Sequence, residues 1–171
     1  MGVFGRCWLR RMFCGFAALQ FATACSEVDR NSWLEPPKMA PEFVLESLSG
    51  DPVSSDSIRG STLVIDFWAT WCPPCIDQIP VLNRFAADRA HQGVRVLGIA
   101  VDAEGRAVVA PFAAEHGIDY TVLLGDESLA QRFGALGFPA LFVVSASGEI
   151  ESVHFGVISL DELHEAVDDA M

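Results

Sequence analysis

Of the five cysteines in the chain, only two lie beyond residue 25, and they stand together as Trp71-Cys72-Pro73-Pro74-Cys75. Two thiols at this spacing can hold a metal, close a structural disulfide or exchange disulfides with another molecule. Zinc asks for four ligands. The chain after residue 25 has no second cysteine pair, and its four histidines, His91, His116, His154 and His164, are scattered without ligand spacing. A structural disulfide stays open. The surroundings favour exchange, because the pair falls between an apolar run, Leu63–Trp68, and a helix expected from about Pro73 to Arg89. Cys72 would then sit at the helix N-terminus, where unpaired N–H groups and the helix dipole favour a thiolate, the nucleophile of disulfide exchange. Cys75, one turn further on, could attack a mixed disulfide formed at Cys72 and release the product. The two prolines stiffen the turn and remove N–H groups that could otherwise solvate the sulfurs.

One carboxylate belongs with this pair. Asp66 interrupts the apolar run six residues before Cys72. A strand buried on both faces would desolvate it and raise its pKa. The blander alternative is an Asp that reaches water or a local partner. Asp102, Glu104 and Asp126 read as loop and cap residues. The acidic run Asp161, Glu162, Glu165, Asp168 and Asp169 reads as a solvated helix face.

The positioning elements alternate. Phe43–Leu45 and Pro52–Val53 flank a Gly-Asp hairpin turn, and Ser54–Gly60 suggests one helical turn. Leu63–Trp68 and Val94–Val101 read as buried strands, with the Pro73–Arg89 helix between them stopping near Gly93. Glu104–His116 follows as a helix closing on Gly117, in which Pro111 is expected to make a kink or mark a late start. Tyr120–Leu124 is a third such strand, and Asp126 can cap a short helix ending at Gly134. Leu141–Ser145 and Ile150–Phe155 form a hairpin about Ser147-Gly148, and Ser159 and Glu162 make a capping box for the last helix. The pattern implies an α/β fold with a central mixed sheet and helices on both faces. Gly134, Gly137 and Pro139 crowd the approach to the Leu141 strand and call for a special turn there.

The chain has 171 residues, 51% of them hydrophobic, and a formal net charge of −12. That suits one globular domain and excludes a disordered tail, a collagen-like repeat or a disulfide-dense mini-domain. Residues 26–171 hold 8 basic groups against 23 acidic ones, a balance that repels nucleic acid. Residues 1–24 read as an export signal: Arg6, Arg10 and Arg11 precede a 13-residue, largely apolar run, Met12–Ala24, too short to span a bilayer. Ala22-Thr23-Ala24 before Cys25 fits ordinary signal cleavage. It also fits a lipoprotein box with Ala22 in place of the usual Leu, which would lipidate Cys25 and tether the protein to a membrane. Residues 25–40 read as a linker, with the domain at 41–171; Trp33 in the linker has no assigned role.

The segment Val64–Pro80, Val-Ile-Asp-Phe-Trp-Ala-Thr-Trp-Cys-Pro-Pro-Cys-Ile-Asp-Gln-Ile-Pro, resembles the thioredoxin superfamily. More closely it is similar to the exported TlpA/ResA-like thiol–disulfide oxidoreductases, and the likeness extends over about residues 40–170. It includes the opening hairpin at Ala40-Pro41-Glu42-Phe43 and an inserted strand–helix unit around Val94–Gly117. The resemblance implies a thioredoxin-like fold in which Cys72 attacks, Cys75 resolves and Asp66 relays a proton to the resolving thiol. It implies that Phe138-Pro139 is a cis-proline loop lying against the cysteines, that Trp71, Pro73 and Pro74 border the substrate, and that Pro80 kinks the helix. Exported relatives often carry Asn at the Asp66 position. Some carry Glu three residues after the second cysteine, where this chain has Gln78, which exchanges no proton.

The resulting expectation is an extracytoplasmic enzyme, periplasmic or on the outer membrane face, that reduces disulfides in exported proteins as a monomer. It would use no metal or organic cofactor and draw electrons from a membrane thiol donor of the DsbD/CcdA type. Reduction of apocytochrome c thiols is the alternative within that class. A thiol peroxidase would want Thr three residues before its reactive cysteine, where Ala69 stands, and a copper carrier would want a longer cysteine spacing with a well-placed histidine.

Overall fold

The computed structural model describes residues 38–171. The chain opens with a hairpin of β1 (Val44–Ser47) and β2 (Pro52–Ser54), followed by a single 3-10 turn over Ser55–Ile58 where a helical turn was expected. Next come β3 (Thr62–Trp68), α1 (Pro73–Arg89), β4 (Val94–Ala100), α2 (Arg106–Glu115), β5 (Thr121–Leu124) and α3 (Glu127–Phe133). The chain ends with β6 (Ala140–Val144), β7 (Ile150–Phe155) and α4 (Leu160–Asp169). The strands form one seven-stranded sheet in the order β2-β1-β5-β4-β3-β6-β7. Within it β3, β4 and β5 run parallel, whereas β1 pairs antiparallel to β5 and β6 antiparallel to β3.

Every residue of β3 is buried, as its continuous apolar sequence requires of a central strand. The two faces of β3 part cleanly. Phe67 turns to α3, its ring 5.1 Å from Phe133 and 5.8 Å from Phe142 of β6. Trp68 turns the other way and lies 5.4 Å from Phe112 of α2. Both β3–α1–β4 and β4–α2–β5 step the same way along the sheet, so right-handed crossovers put α1 and α2 on the Trp68 face. Phe85 of α1 packs 4.9 Å from His164 of α4, which adds α4 to that layer. Asp66, two residues before Trp68, points into the same layer.

Local signals stop and start these elements as the side chains dictate. The Asp126 carboxylate accepts from Leu129 N at 2.7 Å, and Gly134 closes α3 at φ +91°. Both halves of the Ser159–Glu162 capping box are present. Pro111 lies inside α2, which begins at Arg106, so it marks no late start. Lys38–Ala40, read from the sequence as the end of the linker, are already bound to the domain. Ala40 N donates to Gly148 O at 2.9 Å, Ile150 N donates to Lys38 O at 2.9 Å, and Met39 bridges to Glu149.

Candidate active site

The chain leaves the sheet after Trp68, at the C-terminal end of the parallel strands, where open α/β sheets place their sites. A part-buried clamp fixes the loop that follows. Both oxygens of Asp102 accept from Thr70 N, at 3.2 and 3.1 Å, and Thr70 Oγ1 donates to Asp102 Oδ1. Asp102, two residues beyond the end of β4, is only 4% exposed. Its position just beyond a strand and its acidic type gave no sign of this role, because the partner Thr70 lies 32 residues away.

Two residues beyond Thr70, Cys72 is the N-cap of α1 with extended backbone, φ −102° and ψ 97°. Cys72 N donates to Ala69 O at 3.1 Å, and Cys75 N to Cys72 O at 3.0 Å. Pro73 and Pro74 fill the first two helical positions and contribute no N–H groups. Cys72 and Cys75 are joined in a disulfide with Cα atoms 5.4 Å apart. Burial does not tell the two sulfurs apart, since the residues are 4% and 2% exposed. Position does: one caps the helix and is flanked by the exposed Trp71, Pro73 and Pro74, and the other lies inside it.

The Phe138–Pro139 peptide bond is cis, and the Trp71 and Phe138 rings meet edge to face at 5.9 Å. This contact joins the cysteine loop to the loop before β6. Beside it Leu136, Gly137, Phe138, Pro139, Phe155 and Gly156 line an open hollow of about 260 Å³. Leu136 is 73% exposed and Phe155 56%. A larger apolar cavity of about 370 Å³ lies between Met39–Phe43, Ile58 and Val144–Ala146 and contains none of the redox residues.

Asp66 lies beneath this surface, 1% exposed, with no hydrogen-bond partner for Oδ1 among the described residues. Desolvation pushes its carboxyl well above the ordinary aspartate range. Tyr120 lies close enough to feel its charge; burial first, and then Asp66, push the phenol upward. Trp68 Nε1 is likewise buried without a partner among the described residues. Gln78, also 1% exposed, does other work. Its Oε1 accepts from Ile158 N at 2.8 Å and its Nε2 donates to Ile158 O at 3.5 Å, tying α1 to the segment between β7 and α4. Pro80 lies within α1. The structure thus gathers Cys72, Cys75, Trp71, Pro73, Pro74, Phe138 and Pro139 at one end of the sheet, over the face that carries Asp66. Cys25 and the expected signal lie outside the described residues.

A helix-capping cysteine, a second cysteine one turn on and a cis-proline in the loop that meets Trp71 define a thioredoxin-like thiol–disulfide oxidoreductase. Residues 36–153 match the model of the AhpC/TSA family, and the chain belongs to that family. It is 27% identical to the thiol-disulfide oxidoreductase ResA of Oceanobacillus iheyensis over 158 residues, covering 90% of this chain and 82% of that protein. Among solved structures, a thioredoxin-family thiol:disulfide interchange protein from Chlorobium tepidum superposes with a TM-score of 0.69 at 33% identity, covering 80% of this chain and 97% of that one. A secreted disulfide oxidoreductase of Mycobacterium tuberculosis gives 0.65 at 27% identity, over 74% of this chain and 95% of that one.

Proposed function

We propose that the protein is an extracytoplasmic reductant of protein disulfides. The observation that carries the direction is the lack of a basic side chain beside Cys72 in the sequence. Prolines occupy the first two helical positions, and no basic side chain stands between Ala69 and Gln78. A strong oxidant is one whose reduced form is specially stabilised. Cys72 has a helix N-terminus for that purpose and no cation in the neighbouring sequence, so its thiolate keeps its tendency to attack.

In the cycle, the Cys72 thiolate attacks a client disulfide R–S–S–R′, forming Cys72–S–S–R and releasing R′–S⁻. Cys75 then gives up its proton, and its sulfur attacks Cys72 Sγ. The Cys72–Cys75 disulfide forms, and R–S⁻ leaves and is protonated. Two electrons have passed to the client. Asp66, whose raised pKa lets it exchange a proton nearer neutrality, is the acceptor assigned to the Cys75 proton. Trp71, Pro73, Pro74, Phe138 and Pro139 border the client. No metal or organic cofactor takes part in this cycle.

Re-reduction is assigned to a membrane thiol donor of the DsbD/CcdA type. The signal-like sequence of residues 1–24 supports an extracytoplasmic site of action, as does similarity to a protein described as secreted. No helix among the described residues is long and apolar enough to cross a membrane. Attachment would come from lipid on Cys25, with the residues before Lys38 as linker and a monomeric domain from Lys38 onward. Apocytochrome c thiols are one client class that fits the same cycle.

A Cys75→Ser chain mixed with a disulfide-bonded protein tests the roles. It should stall as a Cys72-linked mixed disulfide that dithiothreitol releases, whereas Cys72→Ser should form none. A trapped adduct at Cys75 instead would reverse the assignment, and consumption of hydrogen peroxide at the expense of a thiol donor would replace the reductase reading by a peroxidase.

A further inference from the structure

Among the described residues, two buried side-chain polar atoms lack a hydrogen-bond partner: Asp66 Oδ1, an acceptor, and Trp68 Nε1, a donor. Both side chains leave β3 on the same face, two residues apart. The pairing with β4 shows that they turn toward each other. Trp68 stands opposite Ala100, and Asp66 stands opposite Gly98. Yet Trp68 Nε1 lies 2.9 Å from the point where a Gly98 Cβ would stand. The N–H edge of the indole is therefore swung back from its own level of the ladder to that of Asp66. Neighbouring strands are about 4.8 Å apart, so indole N–H and carboxyl share the space over one pair of residues. Phe112 of α2 holds the indole there, with ring centroids 5.4 Å apart, and the Tyr120 ring closes the other side, 2.6 Å from the same point.

A carboxylate formed in that space meets no cation. From the neighbouring strands Gly98 and Leu141 flank Asp66. The ionisable groups packed into the layer are Tyr120, the cysteine pair, His116 stacked on Phe112 and His164 stacked on Phe85. None of them governs Asp66, on which burial is the sole influence. We propose that the Trp68 indole N–H is the donor that receives the Asp66 carboxylate, directly or across one water, whenever Asp66 gives up its proton. Trp68 is then a positioning residue for the proton transfer assigned to Asp66 above, and its kinetic consequence rests on that reading. Without this donor, an acid sealed among rings would hold its proton to still higher pH and could take none from Cys75 near neutrality.

The test is a pH titration of the full chain by NMR, with the disulfide intact so that the cysteines do not titrate, following indole ¹⁵N–¹H and Asp carboxyl ¹³C signals. The result expected is a Trp68 N–H proton signal that moves downfield with the same midpoint as the Asp66 carboxyl, and that stops moving in Asp66→Asn. A Trp68 signal that ignores the Asp66 midpoint, moves upfield, or still titrates in Asp66→Asn, as a nearby histidine would cause, would overturn the contact. An Asp66 carboxyl that stays protonated up to pH 10 would overturn it as well. Trp68→Phe, which identifies the signal by removing it, should raise the Asp66 midpoint by at least about one pH unit. An unchanged or lower midpoint would overturn the role of the donor. These measurements need no turnover and so stand apart from the reductase reading. In release of the Cys72-linked mixed disulfide, Trp68→Phe should move the pH profile upward by the same amount and leave the rate at its high-pH limit unchanged. A profile that stays in place while the NMR coupling holds would overturn the kinetic role of Trp68, and with it that of Asp66, and leave the contact standing.

Discussion

Asp66 of β3 stands directly beside Gly98 of β4 in parallel register, and the missing side chain at Gly98 makes room for the groups that enclose the carboxylate. A Cβ there would come within 2.6 Å of the Tyr120 ring and 2.9 Å of Trp68 Nε1. An apolar indole body, a phenol and a glycine therefore seal an acid beneath a reactive cysteine pair, and burial alone raises its pKa.

That seal makes stability depend on pH through Asp66. Its folded pKa is above the ordinary value of 3.8, so between those two points the native state holds a proton that the unfolded chain has lost. Stability falls as pH rises through that window, by at most about 1.4 kcal/mol per pH unit. Asp66→Asn should remove this slope and be the more stable protein above the window, as urea unfolding from pH 4 to 9 would show. The same variant should release the mixed disulfide more slowly near neutral pH. Release rates that match the parent across that range would remove Asp66 from proton transfer.

Gly98→Ala should cost about 1–3 kcal/mol, since the new methyl meets two packed rings rather than a flexible chain end. Thermal melts give the cost, and a shifted Trp68 emission would place it at the seal. A variant as stable as the parent would mean that the Tyr120 ring moves aside freely.

Asp102→Ala leaves the Thr70 N–H and hydroxyl without their carboxylate, which should cost about 1–3 kcal/mol. The Cys72–Cys75 potential should also shift, because Thr70 anchors the loop that carries Cys72. Lost stability with an unchanged potential would make the clamp purely structural.

Trp71 is 61% exposed yet rests on Phe138, as a side chain held for contact with a client would be. Trp71→Ala should raise KM for protein disulfides by roughly tenfold, the scale of one lost aromatic anchor, and leave small-molecule disulfides little affected. Equal effects on both substrates would point to the chemistry rather than to binding.

Local chemistry made much of this legible in the sequence. Pro73 after Cys72 marks the start of α1, Asp126 and Gly134 bracket α3, and Ser159 with Glu162 opens α4, because each signal acts over three or four residues. The burial of Asp66 was readable because apolar residues flank it on both sides within one strand. Pairings across the fold were not. The hold of Asp102 on Thr70 and that of Gln78 on Ile158 join residues 32 and 80 positions apart, and neither residue type announces a partner. The exposed hollow at Leu136 and Phe155 likewise exists only because β7 returns beside the loop before β6.

The central claim is that this cysteine pair is reducing, and its reduction potential tests that most directly. Equilibration of the protein against dithiothreitol or glutathione couples, followed by Trp68 and Trp71 fluorescence, gives the value. A potential near or below roughly −250 mV, in the range of thioredoxin, is the result expected. A value near about −120 mV would make the pair a strong oxidant. The fold and the site would stand, and the function would become disulfide formation.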